Sequence, residues 1–567
     1  MNRNNPTGFP SKDKTHLVNV SKKLLKPKVL PLSIYGTFML LNSKRLREPA
    51  IQQGGRIYSK QEVHDSVIAM IKSLKAYSFK RGQRLAIITP NFYEGIIITM
   101  AANAAGIQVV YFNPLATDEE ISGDVDKFTP DILFVYDRSL DSVKKIYSLA
   151  NSKFSAAISF ETNENGQQAN SGSADAPFEF IPFAQFRKKG EEYSKSVKPT
   201  VLKNLFSKKV SLFLQTSGSS AGKPKGLPFT NESIFASMIY ASNSSGTKTN
   251  DSRINKVMCI LPYRLPYGWV LMFINLMGGN CVVLAPGATP EDIGTYHNYE
   301  PSYIYGTPVI LRAFIDNTPD DADLSFLRAF FASGFSLPES LYEEAKDFFA
   351  SHGAPGAEIR NNYGIGEGLC IGTVTDGMPH IKGTVGKFWY GPEWVLADDE
   401  LNEVKYGETG EALVYSKTLC KGYVGEPELT AKTFIRFRGK TYYRSGDQMS
   451  LDENGIVTFY GRRKRFYQPL GATDKVNCET IEKAVADCPL VKQCAVIAVP
   501  DEKTIQTGKV FAVLNSDVTD CGKAEEEIRL FISRKLLDYQ MPGYFSFIDE
   551  IPLMKSGKID YMKLEKM

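Results

Sequence analysis

Between residues 58 and 77 the chain reads YSKQEVHDSVIAMIKSLKAY, and Val63, Val67, Met70, Ile71 and Leu74 return at helical spacing. Ser59 and Glu62 form the Ser-x-x-Glu capping box that starts such a helix. RLAIITP then reads as a short β-rich run, EGIIITMAANAAG as a small-residue helix ending at Gly106, and IQVVYFNP as a strand. After DKFTPDILFVYD comes a further helix, LDSVKKIYSLANS. Strands alternating with helices at this spacing predict a layered α/β fold with a largely parallel sheet. The polar run at 163–176, NENGQQANSGSADA, is a loop by composition. The rhythm resumes through VMCILPY, NCVVLAP and PSYIYG, and SLPESLYEEAKDFFASHG sets Leu337, Leu341, Ala345 and Phe348 on one helical face.

From about residue 400 the texture changes. GETGEALVYS, KTYYRSGDQMS and GIVTFYG are short, turn-bounded and β-rich, which predicts a small barrel or meander over about 390–460. From Gly461 onward, helix ETIEKAVAD, strands QCAVIAVP and KVFAVLN and helix AEEEIRLFISRKLL make an independent α+β domain of about 100 residues. The expected division is a tail over 1–34, a large domain over 35–460 and a small domain over 461–567, with GRRKRF at the doorway.

Composition narrows the classes. A chain of 567 residues needs several cores. Its 43% hydrophobic and 23% charged residues belong to a soluble globular protein. A net charge of +4 from 67 basic and 63 acidic residues gives no pull toward nucleic acid. The eight cysteines stand singly without a C-x-x-C, which indicates neither zinc nor a disulfide framework and fits a reducing, cytoplasmic compartment. No uncharged apolar run nears the roughly 18 residues of a transmembrane segment. The basic, polar N-terminus lacks a signal-peptide core and reads as a loose tail.

Residues 212–229, LFLQTSGSSAGKPKGLPF, pass from an apolar strand through small hydroxyl residues and glycines to two lysines. Such a run is a surface turn or an anion cradle of backbone N–H groups with lysine as counter-charge. A Walker A loop is excluded, because Gly218 and Gly222 are too close and Lys223 is followed by Pro224.

The pattern T-S-G-S-S-A-G-K-P-K-G resembles the phosphate loop of the adenylate-forming superfamily, one residue longer than usual. That superfamily contains acyl-CoA synthetases, luciferases and the adenylation domains of peptide synthetases; this chain is most like an acyl-CoA synthetase. Further motifs follow in family order from about residue 35 to 565. LPYRLPYGW resembles the substrate-pocket strand, LMGGNCVVL the Gly-Gly turn after it, and FFASGFSLP the adenine-contacting turn. NNYGIGEG resembles Y-G-x-T-E, and GETGEALVYSKTLCKGYVGEPELTAKTF matches the family segment after it. YYRSGD, GRRKRF and PLMKSGKID resemble the last three motifs.

The resemblance implies a large N-terminal domain of layered α/β subdomains plus a β-rich subdomain, and a small mobile C-terminal domain. It assigns phosphate binding to Thr216, Ser217, Gly218, Ser219, Ser220, Gly222 and Lys225. The base and nearby phosphate fall to Gly334, Phe335, Ser336, Asn362, Tyr363, Gly364 and Gly366, with Tyr363 stacking on adenine. Asp447 would grip the ribose hydroxyls, Arg462 the nucleotide, and Glu367 a Mg²⁺ ion. Lys558 would be the catalytic lysine, Lys464 the hinge, and PLGATDKVNCETIE with Gly471 a thiol channel, about two residues longer than usual. Arg264, Leu265, Tyr267 and Gly268 would line the substrate pocket.

The implied reaction joins a carboxylate to the α-phosphate of ATP, releases pyrophosphate, and passes the acyl group to the thiol of coenzyme A. A carrier-protein phosphopantetheine is the alternative acceptor. Two departures matter. The family threonine of Y-G-x-T-E is Gly366 here, which admits a catalytically weak nucleotide-binding paralogue; retention of Glu367, Asp447, Arg462, Lys464 and Lys558 argues against that. At 265 the amino-acid-activating members carry Asp, and a leucine cannot hold a substrate ammonium, so the acid expected is fatty or aromatic. Arg264 either pairs with a polar headgroup or second carboxylate, or points to solvent.

Overall fold

The computed structural model describes residues 7–13, 32–160, 176–195, 197, 209–216, 224–244, 254–285, 289–334, 337–375, 378, 380–462, 466–467, 469–470, 472, 476–515, 518, 520–552 and 559–567. Two seven-stranded sheets form the main body. Their strands in chain order are β1 (Pro49–Gln53), β2 (Arg56–Ser59), β3 (Arg84–Ile88), β4 (Gln108–Tyr111), β5 (Ile132–Tyr136), β6 (Ala156–Phe160), β7 (Glu179–Pro182), β8 (Val210–Gln215), β9 (Gly226–Thr230), β10 (Lys256–Cys259), β11 (Cys281–Leu284), β12 (Tyr303–Gly306), β13 (Ala329–Ser333) and β14 (Glu358–Asn362). The first sheet runs β7-β6-β5-β3-β4-β8-β9 and the second β14-β13-β12-β10-β11-β1-β2. Both are parallel except for the edge pairs β8–β9 and β1–β2. The largely parallel sheet expected from the rhythm is thus two sheets.

One core joins them. Leu85, Val109 and Leu212 of the first sheet and Val257 and Val282 of the second meet around helices Tyr93–Ala105 and Pro266–Met277. That position explains why both helices are apolar on nearly every side. The first ends at Gly106, whose φ of 83° no β-carbon-bearing residue adopts cheaply. Helix Lys60–Ala76 starts with the Ser59–Glu62 capping box. In helix Glu339–Ser351 the buried stripe is Leu341, Ala345 and Phe349, with Leu337 and Phe348 only partly buried, so the expected face is rotated toward Phe349.

The β-rich segment is an open five-stranded antiparallel sheet, not a barrel. Its spine is the twelve-residue strand Lys440–Leu451, which pairs with Gly410–Tyr415 on one side and with Phe434–Phe437 and Val457–Arg462 on the other. Beyond it, strands Val491–Asp501 and Ile505–Leu514 form a hairpin, and Tyr544–Phe547 adds a parallel third strand absent from the sequence reading. Helices Cys478–Ala486 and Cys521–Ile532 accompany this sheet, which buries its own apolar residues on both faces.

The N-terminal tail is not loose throughout. Residues 7–13 dock on the β-rich sheet: Ser11 N donates to Glu403 Oε1 at 2.9 Å, and Tyr406 N to the Gly8 carbonyl at 3.2 Å. The residues 163–175 of the expected loop lie outside the described residues.

Candidate active site

Strands β8 and β9 pair antiparallel, so the hydroxyl-rich run is the connection of an edge hairpin. Its neck is closed by Thr216 N donating to the Lys225 carbonyl and Lys225 N donating to Thr216 Oγ1, both at 3.0 Å. Lys127 holds the return limb, its ammonium donating to the Pro224 carbonyl at 2.7 Å. Ser217, Gly218, Ser219, Ser220 and Gly222 lie outside the described residues.

Three distant segments meet at the base of this hairpin. The Lys225 ammonium stands 4.8 Å from the centre of the Tyr423 ring, and the Tyr423 hydroxyl donates to Glu367 Oε1 at 2.8 Å. Burial, then the Glu367 carboxylate, push the Tyr423 phenol up, so it stays a donor. Glu367 occupies a short turn, Gly366–Gly368, whose exit bends sharply through the positive φ of Leu369 and Cys370. Cys420 N ties that turn down by donating to the Glu367 carbonyl at 2.7 Å. Cys370 and Cys420 flank the carboxylate, and burial followed by the Glu367 charge keeps both as thiols. At Gly366 a β-carbon would meet Pro266 Cγ at 3.4 Å, an ordinary contact, so packing does not demand the glycine.

The second grouping lies where β14 gives way to the β-rich sheet. The Tyr363 hydroxyl donates to Asp447 Oδ2 at 2.5 Å, Asp447 is fully buried, and the Tyr363 ring lies 5.6 Å from that of Phe459. Tyr363 is therefore a partner of the Asp447 carboxylate as well as a candidate stacking surface. Asp447 is the register partner of Arg462 across the strands. Asn362 Oδ1 accepts from Thr375 Oγ1 at 2.8 Å, and Gly364 is exposed at the turn. Gly334 has φ +90° with only Thr307 Cγ2 near its open side, at 3.9 Å. Phe335 and Ser336 lie outside the described residues.

The segment 261–269 is pinned against the first sheet. Asn91 Nδ2 donates to the Leu261 carbonyl at 2.9 Å, Tyr263 N donates to Asn91 Oδ1 at 3.0 Å, and the Tyr263 hydroxyl is buried against Thr89 Oγ1 at 2.6 Å. Gly268 is required here, since a β-carbon would fall 2.4 Å from the Pro262 carbonyl oxygen. Leu265 is the N-cap of helix Pro266–Met277. Arg264 is half-buried rather than turned to solvent; its carbonyl accepts from Gln215 N at 3.3 Å, and its charge acts on the nearby Asp124. Burial raises the Asp124 carboxyl, while the hydrogen bond from Gln215 at 3.0 Å and the charges of Lys127 and Arg264 oppose that. The Tyr267 hydroxyl approaches Ser333, whose Oγ is buried without a hydrogen bond of ordinary geometry.

The structure thus brings together Thr216, Lys225, Glu367 and Tyr423, and separately Tyr363 and Asp447. Lys464, Gly471 and Lys558 lie outside the described residues, as does the side chain of Arg462. Tyr423 was not singled out in the sequence although GYVG was in view, nor was Ser333 although it stands in FFASGFSLP, nor were Asn91 and Asp124, which nothing local marks; all four lie beside the candidate residues.

The donor set fits a Mg²⁺ ion of one kind. Among the described residues no group of three acidic, histidine or cysteine ligands occurs, so no protein cage exists there. Glu367 Oε2 takes no hydrogen bond among the described residues, which leaves one carboxylate oxygen to share a cation with substrate phosphates.

Comparison with known proteins assigns a family to most of the chain. Residues 42–424 match the family model of the AMP-binding enzymes, and 480–558 match that of the AMP-binding enzyme C-terminal domain. A 3-[(3aS,4S,7aS)-7a-methyl-1,5-dioxo-octahydro-1H-inden-4-yl]propanoyl:CoA ligase of Rhodococcus jostii (strain RHA1) is 25% identical over 88% of this chain and 91% of its own. A long-chain-fatty-acid–CoA ligase of Yersinia pestis is 24% identical over 90% of each. The anthranilate CoA ligase AuaEII, solved with anthranoyl-AMP, superposes with a TM-score of 0.66 at 21% identity, covering 95% of this chain and 98% of its own. The two-part α/β architecture is that of adenylate-forming enzymes, and no helix among the described residues is long and apolar enough to cross a membrane. The chain belongs to the AMP-binding enzymes, as an acyl-CoA-synthetase-like ligase.

Proposed function

We propose that the protein activates a carboxylic acid, fatty or aromatic, as its acyl-AMP and then transfers the acyl group to the thiol of coenzyme A. The observation that carries this reading is the convergence of Lys225, Tyr423 and Glu367 at the base of the β8–β9 hairpin. ATP lies with its β- and γ-phosphates against the 216–226 loop, its ribose hydroxyls on Asp447 and its base near Gly334 and Tyr363. A carboxylate oxygen of the acid attacks the α-phosphorus in line with the leaving pyrophosphate. One P–O bond forms as another breaks, with an anion brought against a polyanion, so charge neutralisation and alignment are the catalytic tasks. Tyr423 orients the Glu367 carboxylate, and Lys225 supplies counter-charge. Glu367 would hold a Mg²⁺ ion, which would supply positive charge for the phosphate oxygens. Lys558 binds the oxygens that gain charge in the transition state.

In the second half-reaction the thiol sulfur attacks the acyl carbon. A C–S bond forms, the C–O bond to AMP breaks, and the thiol proton leaves to solvent. The small domain turns about Lys464 between the two steps, withdrawing Lys558 and presenting the segment around Gly471 to the thiol. Pyrophosphate release on adding a panel of acids tests adenylation. Appearance of AMP and a thioester on adding coenzyme A supports it as acceptor; acyl-AMP that accumulates until a phosphopantetheinylated carrier protein is added supports the other acceptor. Nucleotide binding without acid-dependent release would leave only a non-catalytic paralogue.

A further inference from the structure

Four residues cross one face of the second sheet at a single level. Cys259 pairs in register with Tyr305, Tyr305 with Phe331, and Phe331 with Arg360, across β10, β12, β13 and β14. The Tyr305 and Phe331 rings stack with centres 4.2 Å apart, and the Arg360 guanidinium lies 5.0 Å from the centre of Phe331. Glu358 fixes Arg360 by accepting from its Nε at 2.6 Å. Tyr305, Phe331 and Arg360 thus form a continuous bar of stacked groups, with Cys259 beside Tyr305 in the register.

Two residues further along the strands, Ser333 pairs with Asn362 at the C-terminal edge, beside Gly334. Strand residues two apart share a face, so the bar lies about 7 Å below that edge. Helix Pro266–Met277 covers this face, with Tyr267 beside Ser333 above and Asn275 approaching the Tyr305 hydroxyl below. Tyr267, Tyr305 and Cys370 are enclosed enough that burial pushes each hydroxyl or thiol up, yet each keeps accessible surface. On the far side of the bar is a separate cavity of about 410 Å³, lined by Tyr303, Arg328, Glu358 and Arg360 and opening at the opposite edge of the sheet.

We propose that the Tyr305–Phe331–Arg360 bar is the floor of the acyl pocket, so that the enzyme takes a single-ring aromatic or short-chain acid and excludes long acyl chains. This rests on the adenylation reading above and narrows its substrate class. The depth above the bar holds one ring or a chain of a few carbons, and an aromatic lining favours a planar ring. A longer chain has to break the Tyr305–Phe331 stack, and removal of the Phe331 ring takes away the middle of the bar.

The test is acid-dependent pyrophosphate release by the full chain with benzoate, hexanoate and laurate, in wild type and in Phe331→Ala. The wild type should show kcat/KM at least tenfold higher for benzoate or hexanoate than for laurate. The variant should raise the ratio of laurate to the better small acid at least tenfold. Wild-type turnover of laurate equal to that of the small acids overturns the proposal, as does a folded variant with an unchanged ratio. If Phe331→Ala does not fold, Phe331→Leu and the wild-type ratio decide. If no acid releases pyrophosphate, the adenylation reading has failed instead. Thermal stabilisation by benzoate or hexanoate but not laurate then still supports the floor, and equal or absent stabilisation by all three overturns it.

Discussion

The Tyr423 hydroxyl donates to Glu367 at 2.8 Å while its ring faces the Lys225 ammonium, so one side chain orders an acidic and a basic group from segments far apart. Tyr423→Phe keeps the ring and removes the donor. Acid-dependent pyrophosphate release should fall about 10–100-fold, as when a supporting hydrogen bond to a ligating carboxylate is lost. The Mg²⁺ concentration giving half-maximal rate should rise, a readout that a merely structural tyrosine would not move; an unchanged Mg²⁺ dependence would remove Tyr423 from the site. Glu367, Tyr363 and Asp447 could be singled out in the sequence because each sits in a motif of fixed spacing. Tyr423 was not singled out, although it stands in the matched segment GETGEALVYSKTLCKGYVGEPELTAKTF, because the carboxylate its hydroxyl meets lies 56 residues away. Ser333 stands in the quoted FFASGFSLP motif, but its burial beside Tyr267 is a product of tertiary structure.

Elements with local causes were read correctly. Helix Lys60–Ala76 is announced by its capping box and helix Tyr93–Ala105 is stopped by Gly106, both decided within a few residues. The hairpin β1–β2 carries a local signature too, the two-residue Gly54-Gly55 loop between the paired Gln53 and Arg56, which went unread in the sequence; only the pairing of β1 with β11, more than two hundred residues onward, has no local cause. Of the barrel or meander expected, the segment forms an open antiparallel sheet, in which one strand, Lys440–Leu451, is long enough to serve two shorter partners on the same side. Helix Pro266–Met277 depends on a single close approach. In Gly268→Ala the new methyl would lie 2.4 Å from the Pro262 carbonyl oxygen and 2.5 Å from that of Leu261. The backbone has to shift at the start of the helix, and the cost should be about 1–3 kcal/mol in chemical denaturation. Loss of the Ser59 cap in Ser59→Ala should cost about 1 kcal/mol, so the two variants calibrate each other. A Gly268→Ala protein as stable as wild type would contradict the packing described.

At the scale of the molecule, the alternation of strands and helices disclosed the fold class, but not that the chain fills two sheets around one core. Lys60 shows how distant parts are tied. Its fully buried ammonium donates to Glu48 Oε2 at 2.6 Å and to the Gly279 carbonyl at 3.1 Å, joining the first long helix to the turn before β11. Burial acts to raise the Glu48 carboxyl, but the hydrogen bonds from Arg45 and Lys60 outweigh it and hold the group below the ordinary value of 4.5. A carboxyl depressed in the folded state contributes stability that is present above its unfolded value and lost as pH falls through the folded one. Stability should therefore decline below about pH 4.5, and Glu48→Gln should lower stability at neutral pH and flatten that acid limb. An acid limb identical to wild type would show that Glu48 contributes nothing to it.

The claim on which the account rests is that this body positions ATP and an acid for attack on the α-phosphate, with an ammonium from the small domain completing the site. The most direct measurement is pyrophosphate release from ATP, with and without carboxylic acids, by the wild type and by Lys558→Ala. Release should depend on the acid, yield AMP when coenzyme A is supplied, and slow about 10²–10³-fold in the variant. Release that ignores the acid, or that proceeds at the wild-type rate without Lys558, would contradict the claim.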